Sequence, residues 1–213
     1  MLQYILDGGV MMVPLLALSI LAVAVIIDRL RVFRLADVDN DAMRERIHTG
    51  LRGGATGEAV QACRDFEGPA AAVMLVGLQG YDEINSRGRA RDEVETFVAQ
   101  SMQDYAPHVL DLLEQRLNIL AMVGTAAPLI GMTGTVVGMI MSFNSMAQVG
   151  GLDAGAVASG ISLALVTTAA GLIIAIPSVI YHNVFSRKVD RHRLQIEESA
   201  NALIRFIALE SRP

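Results

Sequence analysis

Three threonines are the residues best placed for chemistry in this sequence. Thr135 lies in one long uncharged run, and Thr167 and Thr168 lie in another. A hydroxyl can hydrogen-bond a proton carrier, a water or a cation without the cost of a buried charge in an apolar surrounding. A buried threonine can also bond the carbonyl of its own helix, four residues back. The residue types therefore leave two interpretations open, the lining of an ion pathway and the contact face of a packed helix.

Small and weakly polar residues accompany these threonines at helical spacing. Counted in steps of four and three, they form one face on each of the two runs. The predicted helix-packing positions are Gly124, Pro128, Gly131, Gly138, Ser142, Ala164, Gly171, Ala175 and Ser178. Small residues let helix backbones approach closely in lipid, which explains the glycines and alanines better than the threonines. His182 continues the second stripe, where it is either a proton exit or an ordinary interfacial histidine.

Three uncharged runs are long enough to cross a bilayer, whose core needs roughly 20 apolar residues in a helix. We predict transmembrane helices at residues 10–27, 117–146 and 157–185. A cleaved signal peptide carries positive charge before its apolar core, whereas here Asp7 precedes the first run and arginines follow it. The predicted fold is an all-α integral membrane protein with three transmembrane helices and long cytoplasmic helical extensions.

The positions of the basic residues predict the orientation of these helices. Arginine and lysine cluster directly after the first and third runs, whereas the loop 147–156 contains neither. By the positive-inside rule, the helical region 28–116 and the C-terminal helix 186–213 are cytoplasmic. The N-terminus 1–9 and the loop 147–156 are then periplasmic.

The remaining composition offers no catalytic constellation. The 213 residues are 53% hydrophobic and 18% charged, against about 25% charged in a typical soluble domain, and their formal net charge is −5. The four histidines are scattered, and the single cysteine, Cys63, excludes an internal disulfide. We therefore expect no enzyme activity, no cofactor, no metal and no nucleic-acid partner.

Longer motifs in the same runs resemble a known family. Residues 127–140 (APLIGMTGTVVGMI) resemble the second-span signature of the MotA/TolQ/ExbB proton-channel family, and residues 160–177 resemble its third-span signature. Residues 8–16, followed by Asp28-Arg29, are similar to the opening of ExbB-like members. Residues 62–69 are similar to part of their cytoplasmic region. The resemblance covers nearly the whole chain.

The resemblance implies a subunit of a proton-driven motor in the bacterial inner membrane. In that family, a homopentamer surrounds a dimer of a single-span ExbD/TolR-like partner, which brings a membrane aspartate and can act on a TonB-like protein. Thr135 and Thr168 match the family's pore-lining threonines, and Thr167 is adjacent. The implied role is energising TonB-dependent outer-membrane transport. The alternatives are a TolQ-like subunit for outer-membrane integrity and division, and a non-conducting membrane scaffold.

One position departs from the family's pattern. ExbB-like members often have a glutamate in the third span where this chain has Leu163. The predicted membrane part of this subunit therefore contains no carboxylate, and neither the conducted ion nor the subfamily follows from the sequence. Three spans also argue against a flagellar MotA, which has four.

Overall fold

The structure, a computed structural model, describes residues 10–53, 56–149 and 154–210. Of these described residues, 93% are helical and none forms a strand. The predicted N-terminal segment 1–9, residues 150–153 of the predicted loop and the terminal residues 211–213 lie outside the described part. The helices are α1 (Met12–Ala36), α2 (Asn40–Arg52), α3 (Thr56–Phe66), α4 (Pro69–Ser86), α5 (Arg91–Glu114), α6 (Leu117–Val149) and α7 (Ala154–Glu210).

Helices α1, α6 and α7 each contain a stretch long and apolar enough to cross a membrane. The prediction of an all-α membrane protein with three spanning helices is therefore confirmed. The chain forms two compact units, residues 1–29 with 116–185 and residues 30–115 with 186–213. We call the first the membrane unit and the second the extramembrane unit. Helices α1 and α7 run through both units.

The extramembrane unit is a helical bundle with its own apolar core. Its helices start at residues that commonly begin helices. The Asp39 carboxylate accepts hydrogen bonds from the N–H groups of Asp41 and Ala42 at the start of α2, and Pro69 occupies the first turn of α4. Apolar residues then recur on one face of each helix. The largest fully buried members of this core are Met43, Ile47, Val73, Met74, Leu78, Val98, Met102 and Leu203.

The junction between α5 and α6 does not lie at the proline of α5. Pro107 is accommodated inside this helix, which continues through it to Glu114. The chain instead breaks at Gln115 and Arg116, where Arg116 has a φ of 64° in the left-handed region. The Arg116 guanidinium lies 3.1 Å from the Asp28 carboxylate and forms an ion pair with it. Val109 and Leu113 are buried beyond Pro107, so packing offsets its cost to the helix.

The single cysteine belongs to the core of the extramembrane unit. Cys63 is buried in α3, and this burial raises the pKa of its thiol to about 12. The thiol therefore stays protonated at neutral pH, where only the thiolate would be a nucleophile. This environment favours the structural interpretation of Cys63 over a reactive one.

Candidate functional site

The backbones of α6 and α7 approach each other through glycines in the membrane unit. A Cβ added at Gly171 of α7 would lie 2.5 Å from the Ala127 carbonyl oxygen of α6. On α6, a Cβ at Gly131 would lie 3.0 Å from the Thr167 carbonyl oxygen, and one at Gly138 would lie 2.8 Å from that of Gly160. These distances leave no room for a side chain. The helices can pack this closely only because the residues are glycine.

The face of α6 that meets α7 includes two residues beyond the predicted stripe. Ala127 is fully buried, and Gly134 lies so close to Thr167 that an added Cβ would be 2.5 Å from its hydroxyl oxygen. By contrast, Pro128 and Thr135 of the predicted stripe are only half-buried. Thr135 therefore lies beside the α6–α7 contact, on a surface that remains open in this chain.

The remaining stripe residues are buried with their hydroxyls satisfied. Ser142 donates to the Gly138 carbonyl at 3.0 Å, and Ser178 donates to the Ile174 carbonyl at 2.8 Å. Their neighbours along the predicted stripes, Gly124, Ala164 and Ala175, are also buried. Such bonds within one helix let hydroxyls pack in an apolar surrounding at little cost.

The three threonines have different hydrogen-bond partners. The Thr168 hydroxyl of α7 donates across the contact to the Gly131 carbonyl of α6 at 3.0 Å. Thr167 is fully buried and bonds its own helix, at the Ala164 carbonyl. Thr135 donates to the Met132 carbonyl of its own helix at 2.6 Å. Each hydroxyl thus directs its proton to a backbone carbonyl and keeps oxygen lone pairs that can accept a hydrogen bond.

Leu163 and His182 lie on α7, on either side of Thr167 and Thr168 in the sequence. Leu163 is half-buried, and its carbonyl accepts a second, longer bond of 3.2 Å from the Thr167 hydroxyl. His182 is half-buried. Among the described residues, no group of three His, Cys, Asp or Glu side chains is arranged to hold a metal ion.

Large apolar side chains cover the outer faces of α6 and α7. Leu129 and Leu165 each expose more than 60% of their surface. Such exposure is unfavourable in water but not against lipid or another subunit. The exposed set on these two helices also includes Met122, Met132, Val136, Met139, Ile140, Met141, Phe143, Ile161, Leu172, Ile173, Ile176, Val179, Ile180 and Val184. The outer faces thus suit a bilayer, while the small residues pair the two helices.

A pair of glycine substitutions tests how strongly the close approach holds α6 to α7. Gly171→Ala should destabilise the protein by about 1–3 kcal/mol, because its methyl group would meet the Ala127 backbone. Gly124→Ala should cost less, because its methyl would meet the Val179 Cγ2 atom at 2.6 Å but no backbone atom closer than 3.6 Å. Helix propensity rises equally in both variants and so cancels from the comparison. Thermal unfolding in mild detergent measures the difference, and equal midpoints would contradict it.

Comparisons with known proteins identify the relatives of this chain. The sequence model of the MotA/TolQ/ExbB proton channel family matches residues 67–198. Tol-Pal system protein TolQ of Pseudomonas aeruginosa is 32% identical over 83% of this chain and 77% of its own length.

Two ExbB proteins match in the same way. Biopolymer transport protein ExbB of Neisseria gonorrhoeae is 29% identical over 84% of this chain and 81% of its own length. That of Aquifex aeolicus is 35% identical over 58% of this chain and 76% of its own length. The matches thus include both TolQ and ExbB proteins.

Proposed function

This chain belongs to the MotA/TolQ/ExbB proton channel family, and from that premise we propose that it is the multi-span subunit of an inner-membrane motor driven by protons. The motor couples ion flow to work in the periplasm. The observation that carries the proposal is the α6–α7 pair, an uncharged contact of glycines crossed by the Thr168 hydroxyl, within three helices that can span a membrane. Energising TonB-dependent outer-membrane transport is the role we assign first.

In this proposal, Thr135 and Thr168 line the ion pathway, with Thr167 supporting them from the helix contact. Thr135 is half-buried beside that contact, so its hydroxyl can face a partner helix. Thr168 is also half-buried, although its proton is directed to Gly131. His182 is placed at the cytoplasmic exit. The orientation rests on the basic residues after α1's apolar run and after residue 185, which put the N-terminus in the periplasm and the C-terminus in the cytoplasm.

The proposed motor needs more than one kind of subunit. The apolar runs of the three spans contain no Asp or Glu, and threonine does not titrate in the physiological range, so the titrating carboxylate comes from a single-span ExbD/TolR-like partner. Several copies of this chain, five in our proposal, surround that partner and shield the half-buried threonine surface in a symmetric ring.

Two alternatives are tied to specific observations. A TolQ-like role in outer-membrane integrity and division is supported by the similarity to the Pseudomonas aeruginosa TolQ. A non-conducting scaffold is supported by the Thr168–Gly131 bond and the glycine contacts, which packing alone would explain. The scaffold hypothesis predicts that the Thr168 hydroxyl contributes only to the stability of the protein.

Purification in mild detergent from its own cells tests the proposed assembly. We expect this chain to copurify with a single-span protein that carries an aspartate in its span, and native mass measurement should give five copies of this chain. The identity of any further bound protein separates a TonB-linked from a Tol-linked role. A monomer in every mild detergent, with no single-span protein bound, would refute the proposed motor.

A further inference from the structure

A cleft in the extramembrane unit has a basic rim and an apolar floor. Its cavity volume is about 390 Å³. Arg52, Arg89 and Arg91 contribute exposed guanidinium groups, while Leu78 and Val94 are buried beneath them. We call this site the cationic cleft. Its other lining residues are Leu51, Thr56, Tyr81, Asn85, Leu203, Phe206 and Ile207.

The charge of the cationic cleft is not balanced by its own lining. None of the lining residues that the structure describes is acidic, although the whole chain has a formal net charge of −5. Arg89 pairs with Glu93, which lies outside the lining, at 3.3 Å. Within the part of the chain that the structure describes, the guanidinium groups of Arg52 and Arg91 have neither an ion pair nor a hydrogen bond. These two guanidinium groups can therefore bind an anion without giving up another partner.

The helix that starts at the cleft adds to its positive potential. Arg91 is the first residue of α5, and the preceding N-cap residue, Ala90, has no side-chain group to accept the free N–H groups of the first turn. A helix N-terminus carries a partial positive charge, which acts together with the arginine groups. Asp92 and Glu93 in the same turn reduce this effect but do not line the cavity.

The chemistry of the lining selects one class of ligand. Guanidinium groups bind phosphate through paired hydrogen bonds, and two of them are available here without breaking another interaction. The half-buried rings of Tyr81 and Phe206 and the apolar floor can contact a sugar or base. The volume lies in the range of small-molecule sites, roughly 300–1,000 Å³, and is too small for an extended peptide.

We propose that the cationic cleft binds a small soluble phosphomonoester, with Arg52 and Arg91 holding the phosphate. The site is distinct from the proposed ion pathway, since all of its lining residues belong to the extramembrane unit. Half of them, including Arg52 and Phe206, lie outside the residues that the family model matches.

Calorimetric titration of the detergent-purified complex with adenosine monophosphate tests the proposal. Ribose 5-phosphate should also bind, because it keeps the phosphomonoester. The double variant Arg52→Gln with Arg91→Gln should weaken binding at least about tenfold. The matched control is Arg64→Gln with Arg205→Gln, which removes the same charge from exposed residues outside the lining. It should bind both probes like the original protein.

Three results would overturn the proposal. The first is no binding of either probe by a complex whose unfolding midpoint shows it to be folded. The second is equal weakening by the double variant and its control, which would indicate a general effect of charge. The third is binding of soluble short-chain phosphatidylglycerol alone, which would assign the cleft to lipid headgroups. Because Arg52 and Arg91 are exposed and make no ion pair among the described residues, the double variant should unfold at the original temperature.

Discussion

Replacing Thr168 by valine is expected to abolish energised function while the protein still folds and assembles. Valine keeps the shape of threonine and removes only the hydroxyl that donates to the Gly131 carbonyl. A hydrogen bond between membrane helices contributes about 0.6 kcal/mol on average, so its loss should barely change stability. The effect on function should be far larger. Removing a group that takes part in proton transfer slows that transfer by the order of 100-fold or more. The measurement is growth of a strain that lacks its own copy, under the condition in which the deletion shows a defect.

Two further variants separate the pathway from simple packing. Thr133→Val makes the same change on α6 at an exposed position, where the hydroxyl bonds only the Leu129 carbonyl of its own helix. It should leave growth unchanged. Thr168→Ser restores a hydroxyl and should recover most of the function. Full function of Thr168→Val, at normal protein abundance, would reject the pathway role and favour the scaffold.

The pairing of α6 and α7 shows what helical spacing can and cannot predict. Steps of four and three gather small residues on one side of each helix, and the glycines among them lie at the close contact. The same steps select Pro128 and Thr135, whereas the buried face runs through Ala127 and Gly134. With 3.6 residues per turn, neighbouring faces share most of their small residues, so spacing cannot choose between them. The orientation of α7 determines which face of α6 is buried, through contacts such as that between Thr167 and Gly134.

Features that join distant parts of the chain were less predictable. The chain turns at Gln115–Arg116, where the Arg116 guanidinium pairs with Asp28, a residue distant in the sequence. The cationic cleft likewise combines residues from α2 to α5 with residues near the end of α7. No motif marks such a site, because each arginine alone resembles an ordinary surface charge. The three long apolar helices, by contrast, follow directly from composition.

Proton flux through the purified chain alone is expected to be no faster than through empty liposomes. Mid-membrane carboxylates cost about 2.5–3.5 kcal/mol on insertion scales, so a protein keeps one where its function requires a titrating group. The three apolar runs contain none, and Leu163 stands where ExbB-like members often have glutamate. The hydroxyls of Thr135 and Thr168 can orient a proton carrier but cannot bind and release a proton in a cycle.

The measurement is the quenching of a pH-sensitive dye inside liposomes under an imposed pH gradient. This chain should match empty liposomes, whereas the proposed complex with a single-span partner should conduct protons when that partner is coupled to its load. Changing the partner's membrane aspartate to asparagine should return the complex to the empty-liposome rate, and a protonophore added at the end verifies the gradient. A fast leak through this chain alone that disappears in Thr168→Val would contradict the prediction. Water and hydroxyl groups would then suffice for conduction, and the partner's carboxylate would serve to gate the motor and not to carry its protons.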